Sequence, residues 1–194
     1  GPVDKSWVIL QAYAKEKFGM NLKDEVETVF AAPAVINEQL MEGNVDAVLN
    51  FWHYNARLKA AGMNEVISVK DVLTELDLNG QTPLLGWVFD KGWAEDNKKL
   101  ISSFLDSSYQ TKEMLLNDLG QWEGLKKKMK ADEDETLFIA LRDDYRAGIV
   151  DEFKADHIAS ASDVFAVMAT IGGEKLVGSA NSLDPNTFWK AYID

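Results

Sequence analysis

The sequence predicts an α/β fold with a mainly parallel β-sheet in the first half of the chain, followed by a set of C-terminal helices. Two observations support this. Short apolar segments alternate with amphipathic helical segments over residues 1–83, and the helical segments end at glycines such as Gly19, Gly43 and Gly62. Parallel strands need crossover connections, usually a helix, so the alternation favours a parallel sheet. With 194 residues and 46% hydrophobic content, the chain can bury one substantial core or two modest ones.

The spacing of apolar side chains defines each element of the first half. Trp7, Leu10, Ala14 and Phe18 recur at three- and four-residue steps, which predicts a helix over residues 4–18. Asp4 or Ser6 can cap its start, and Gly19 can end it. Pro33 suits the first turn of a second helix. The remaining predictions are strands at 26–32, 45–51, 65–69 and 84–89, and helices at 33–43, 52–61 and 70–76.

The second half of the chain has a different character. From Trp93 onward the apolar periods are helical, and the last long helix is expected to stop at Gly172 and Gly173. Residues 84–194 are therefore predicted as one strand followed by helices. The first half begins at a helix, and the second half has no sheet of its own to pack on. Both features suggest an N-terminal part that is absent or supplied by another chain. Gly1-Pro2 is either native or a protease scar.

Composition narrows the functional classes. Twenty basic and thirty-two acidic residues give a formal charge of -12, which disfavours nucleic acid and anionic membrane surfaces as partners. The chain has no cysteine, which excludes disulfides and cysteine-ligated metals. No apolar run approaches about eighteen residues, so no membrane insertion is expected within this chain. Any export signal would have to lie upstream of Gly1.

Enzyme chemistry finds little support in the sequence. His53 and His157 are the only histidines and lie far apart, and no second histidine at helical spacing suggests a zinc pair. No nucleophile elbow and no phosphate-binding lysine loop is present. We therefore predict no catalytic residue, no metal ligand and no cofactor, and a chain that is not an enzyme.

Ligand contacts are predicted where helices would follow strands, because helix N-termini present unpaired N–H groups there. Three such places occur, and the third combines flat apolar rings with neutral donors and acceptors, a mixture typical of small-molecule pockets. A tryptophan in the 84–89 segment is a further candidate. The predicted ligand-binding residues are Asp4, Lys5, Ser6 and Trp7; Ala32 and Pro33; Asn50, Trp52, His53 and Tyr54; and Trp87.

Four pieces of sequence, taken in order, resemble a known family. They are Gly1-Pro2-Val3-Asp4-Lys5-Ser6-Trp7, Ala32-Pro33 before a helix, the L-x-x-G-x-V-D-A-V pattern at Leu40 to Val48, and Leu85-Gly86-Trp87-Val88-Phe89. This order is similar to that of the C-terminal portion of type II solute-binding proteins of ABC importers, in the nitrate/sulfonate/taurine and thiamine-pyrimidine-precursor group. The similarity runs across nearly the whole chain.

The resemblance implies an organisation and a function. Residues 1–83 would be the α/β ligand-binding lobe two, 84–90 a hinge crossing, and 91–194 the helical C-terminal part of lobe one, whose N-terminal part is absent. The protein would capture a small organic solute or anion outside the cytoplasm, in the periplasm or anchored by a lipid. It would deliver that solute to an ABC permease and its ATPase.

Two alternatives remain open from the sequence. One is an enzyme similar to the pyrimidine-precursor synthases on the same scaffold, with His53 as a reactive group, although those enzymes carry a cysteine-rich motif and this chain has no cysteine. The other is a ligand-sensing domain. The ligand class is also open, since helix N-termini and Lys5 suit an anion such as a sulfonate, taurine or nitrate, whereas Trp52, His53 and Tyr54 suit a ring such as a pyrimidine.

Overall fold

The fold is all-α. The structure, a computed structural model, describes residues 1–150 and 152–190, and within those ranges 63% of the chain is helical and no β-strand occurs. The predicted α/β class, with its parallel sheet and its binding-protein lobe, is therefore wrong. The α-helices are α1 Lys5–Phe18, α2 Leu22–Glu25, α3 Pro33–Met41, α4 Trp52–Ala60, α5 Val69–Glu75, α6 Lys91–Asp96, α7 Lys98–Asn117, α8 Lys126–Met129, α9 Glu135–Ala147, α10 Ala155–Gly172 and α11 Glu174–Val177, with 3₁₀ helices at Leu119–Leu125 and Pro185–Thr187.

The segments predicted as strands are mostly irregular backbone. Residues 27–31, 45–49, 66–67 and 84–89 make no backbone–backbone hydrogen bond with any described residue. Their apolar side chains are also largely exposed, and Val66 and Val88 are almost fully so. A β-strand needs a partner that is distant in sequence to satisfy its N–H and C=O groups. The residue types fit a strand, but no described segment supplies that partner.

The predicted helices, by contrast, are confirmed. The Asp4 carboxylate accepts hydrogen bonds from the N–H groups of Ser6 and Trp7 at 2.9 and 3.1 Å and so caps α1. Gly19 ends α1 in the left-handed conformation, with φ at 65°. Pro33 is the first residue of α3, and α10 ends at Gly172 as its double glycine predicts. Helical periodicity is local in sequence, which explains why these boundaries can be predicted.

The chain divides into two compact units, each assembled from separate stretches. The first contains residues 1–50, 65–84 and 154–188. Its core is formed where α1 packs against α5 and α10. The buried side chains at that junction are Ile9, Ala12, Val72, Leu73, Leu76 and Val164.

The second unit contains, of the described residues, 51–64, 85–150, 152–153 and 189–190. Its core forms mainly where α4 packs against α9, and the 3₁₀ helix at Leu119–Leu125 closes over α7. The Trp122 indole N–H donates to the Leu115 carbonyl at 2.8 Å, which satisfies its one polar group inside this core. The buried residues are Ala56, Leu115, Trp122, Ala131, Phe138 and Leu141.

The organisation implied by the resemblance, 1–83, 84–90 and 91–194, stays a prediction. Among the described residues, no helix has the length and apolar character needed to cross a membrane.

Candidate functional site

The first predicted region, at the start of α1, is occupied by its own side chains. The Asp4 carboxylate holds the Ser6 and Trp7 amides that an anion would otherwise bind. The Lys5 ammonium donates to the Leu84 carbonyl at 2.7 Å, an interaction between residues 79 positions apart. A carboxylate already at this helix start repels a second anion. Asp4 and Lys5 therefore act mainly in capping and tertiary contact, while Ser6 and Trp7 lie half-buried in the first turn.

The second region, at the start of α3, contacts part of the third. Asn50 donates from its amide nitrogen to the Pro33 carbonyl at 2.8 Å and to Asn37 Oδ1 at 2.7 Å. This pair of bonds joins the end of the 45–50 segment to the start of α3. Ala32 is the N-cap of α3, and because alanine has no polar side chain, it forms no capping hydrogen bond.

The third region begins α4 and forms an aromatic group, by which we mean Phe51, Trp52, His53 and Tyr54. The His53 ring stacks nearly parallel to Phe51, with centroids 6.1 Å apart. It lies edge-on to Trp52 at 5.3 Å and is tilted against Tyr54 at 4.5 Å. Phe51 and Trp52 are exposed, whereas His53 and Tyr54 are half-buried. The group thus offers accessible ring faces beside a neutral hydrogen-bonding side chain.

Two residues of the same unit support this group. Trp52 meets the Tyr145 ring edge-on at 5.6 Å, and Tyr145 in turn meets the buried Trp122 at 5.4 Å. A continuous series of ring contacts therefore connects the exposed Trp52 to the core. The sequence shows Tyr145 at helical spacing on an apolar face, but it does not show which ring that face would meet.

Charged side chains hold α4 in place beyond the rings. The Lys59 ammonium lies 2.7 Å from an Asp144 carboxylate oxygen, and the Arg57 guanidinium donates to the Met129 carbonyl at 3.1 Å. Both partners lie outside α4, on α9 and at the end of α8. Because these two cations already have acceptors, a ligand at the aromatic group would meet rings rather than a free cation.

The protonation state of His53 follows from its surroundings. Burial lowers the pKa of His53 below the 6.5 of an unperturbed histidine, and the nearby Arg57 charge lowers that pKa further. His53 is therefore mainly neutral at pH 7, with one ring nitrogen as a donor and one as an acceptor. His157, the other histidine, lies in the first unit, where its Nδ1 accepts a hydrogen bond from the Lys154 N–H at 2.9 Å.

Trp87 contacts α7. Its ring meets Phe104 edge-on at 5.1 Å, and its indole N–H donates to the Ser108 hydroxyl at 3.3 Å. Most of its surface remains exposed.

The predicted residues thus fall into different units. Residues 4–7, 32–33 and 50 belong to the first, whereas 52–54 and 87 belong to the second. Asn50 links the second and third predicted regions through its hydrogen bond to the Pro33 carbonyl. Sequence reasoning missed Tyr145, Arg57 and Lys59 as supports of the aromatic group. Within the described residues, no three His, Asp or Glu side chains are grouped so as to hold a metal ion.

Comparison with models of known protein families gives no match for this chain, and comparison with curated proteins gives none either. The solute-binding-protein family thus stays a prediction from the sequence.

Proposed function

We propose that this chain is a binding protein and not an enzyme, and that its aromatic group takes up a small solute through a planar ring. The supporting observation is the arrangement of Phe51, Trp52 and His53, which combines exposed ring faces with a neutral imidazole on a helix held by packing and polar contacts. Stacked or edge-on ring pairs add about 0.5–1.5 kcal/mol beyond simple burial. A ring-bearing ligand can use that energy.

Charged side chains near the predicted regions already have partners, which favours a ring over an anion as the ligand. Lys5 donates to a carbonyl, Asp4 occupies the start of α1, and Lys59 is paired with Asp144. An anion would have to displace these contacts. Of the two ligand classes that the sequence leaves open, a pyrimidine-like ring therefore fits better than a sulfonate or nitrate.

Delivery of the solute to an ABC permease outside the cytoplasm is part of the same proposal, and only the sequence resemblance supports it. The prediction of ligand contacts where helices follow strands does not support it, because the described residues contain no strand and no sheet.

The test compares two tryptophans of the same unit. Trp52 is 46% exposed and Trp93 is 49% exposed, so W93A is a matched control for W52A. Binding of pyrimidine, taurine and nitrate would be measured by thermal shift and tryptophan fluorescence. We expect binding of the ring compound, an affinity loss of up to about tenfold in W52A, and no loss in W93A.

Two further variants separate the possible outcomes. Trp52→Phe keeps a ring and should retain most of the affinity, which distinguishes loss of a ligand contact from loss of structure. His53→Ala should weaken binding only in part. Ring binding that is equally weakened by W52A and W93A, or preferential binding of the anions, contradicts the proposal. A product formed by the wild type and abolished in His53→Ala would favour the enzyme alternative.

A further inference from the structure

A stretch of the first unit has residue types typical of a β-strand, and its apolar side chains are exposed. Residues 26–30 include Val26, Val29 and Phe30, all of them exposed. The following helix, α3, contains no buried residue, and the 45–50 segment exposes Leu49. We call residues 24–50 the acidic apolar stretch. Exposed apolar side chains that lie this close together in sequence are candidates for a docking surface.

The backbone of this stretch is also available for pairing. Residues 27–31 and 45–49 form no backbone–backbone hydrogen bond with the described part of the chain. Asn50 joins the ends of the two segments through its bond to the Pro33 carbonyl. Val, Thr and Phe are residues that strands favour, and backbone that has no backbone partner can pair with an added strand.

The charge of the stretch is strongly one-sided. Between Lys23 and His53 there is no basic residue, and none of the carboxylates there lies within ion-pair distance of a described Lys or Arg. All of these carboxylates are exposed, so the apolar side chains lie in a stretch of sequence whose negative charge has no ion-pair partner among the described residues. The acidic residues are Asp24, Glu25, Glu27, Glu38, Glu42 and Asp46.

We propose that the acidic apolar stretch binds an extended segment of a partner protein in which apolar residues alternate with Lys or Arg. The partner pairs its backbone with residues 27–31, places its apolar side chains against Val29 and Phe30, and sets its cations beside the carboxylates. A second copy of this chain is disfavoured as the occupant, because it would bring like charges together in a chain of formal charge -12.

The test uses a synthetic peptide of about ten residues that alternates Val and Lys, a length that matches a typical strand. We expect binding that weakens as the salt concentration is raised. We also expect changes in NMR amide chemical shifts confined to the acidic apolar stretch, and slowed hydrogen exchange at residues 27–31. A peptide alternating Val and Glu should not bind, and one alternating Ser and Lys should bind at least tenfold more weakly. A Val/Lys peptide that is N-methylated at alternate residues cannot donate backbone hydrogen bonds there, and it should not slow hydrogen exchange at residues 27–31.

Matched variants locate the surface. Val29→Asp should weaken peptide binding by about tenfold or more, whereas Val3→Asp, at 41% exposure against 51% for Val29, should not. Glu27→Lys with Glu42→Lys should reduce affinity, and the exposed Glu16→Lys on α1 should leave it nearly unchanged.

Three results would overturn the proposal: no binding of the Val/Lys peptide at low salt, equal binding of the Ser/Lys peptide, or a concentration-dependent dimer that protects residues 27–31 without peptide. None of these bears on ring binding at the aromatic group, so the two proposals fail separately.

Discussion

The helical core of the first unit and the acidic apolar stretch lie in one compact unit but differ in how their apolar residues are used. Leu73, at the junction of α1, α5 and α10, is 1% exposed, whereas Val29 is 51% exposed. A helix satisfies its backbone internally and needs only a surface to pack on. A strand also needs a backbone partner. An apolar segment can therefore have the composition of a strand and still form no sheet when no other segment supplies backbone hydrogen bonds.

Truncation of an apolar side chain in each region tests this comparison most strongly. Leu73→Ala removes buried methyl groups from the core and should lower the free energy of unfolding by about 2–5 kcal/mol. Val29→Ala should change that free energy by less than about 0.5 kcal/mol, because its side chain is half exposed. Urea unfolding followed by circular dichroism measures both. Equal losses would mean that residues 26–30 are packed as firmly as the core.

The helix predictions succeeded because their signals are local. The Asp4 cap, the Gly19 stop and the Pro33 start each depend on neighbouring residues only. The strand prediction at 26–32 failed for the complementary reason. Val26, Val29 and Phe30 have the right composition, but composition does not supply a hydrogen-bonding neighbour.

The candidate site shows the same division. The sequence identified the ring-rich start of α4, and it placed Asn50 near a helix start, where it bonds to Pro33. It did not identify Tyr145 as the ring under Trp52, or Asp144 as the acceptor for Lys59, because those contacts span more than eighty residues. Apolar periodicity marks the face of α9 without naming its partner.

Helix capping gives a smaller test of the same comparison. Asp4→Ala removes a cap from α1, which packs in the core, and should cost about 1 kcal/mol of unfolding free energy. Ala32→Asp adds a cap to α3, which contains no buried residue. It should slow hydrogen exchange within α3 and change global stability by only a fraction of that amount. Asp4→Asn retains a capping side chain and serves as the control. A global gain from Ala32→Asp as large as the loss from Asp4→Ala would show that α3 is coupled to the core.

The smallest expected effect concerns His53, which lies where the exposed aromatic group meets the packed α4. Burial lowers the pKa of His53 in the folded state, so below pH 6.5 the unfolded chain binds more protons than the folded chain. The contribution of neutral His53 to the free energy of unfolding is thus fully present above pH 6.5. It is lost as the pH falls through the lowered pKa of the folded state. Proton NMR of the imidazole should report a pKa below 6.5, and His53→Gln should flatten the acid side of the urea-midpoint profile. If His53 instead titrates at 6.5, its ring is as solvated as the side chains of residues 26–30, and the aromatic group resembles the acidic apolar stretch in exposure rather than the core.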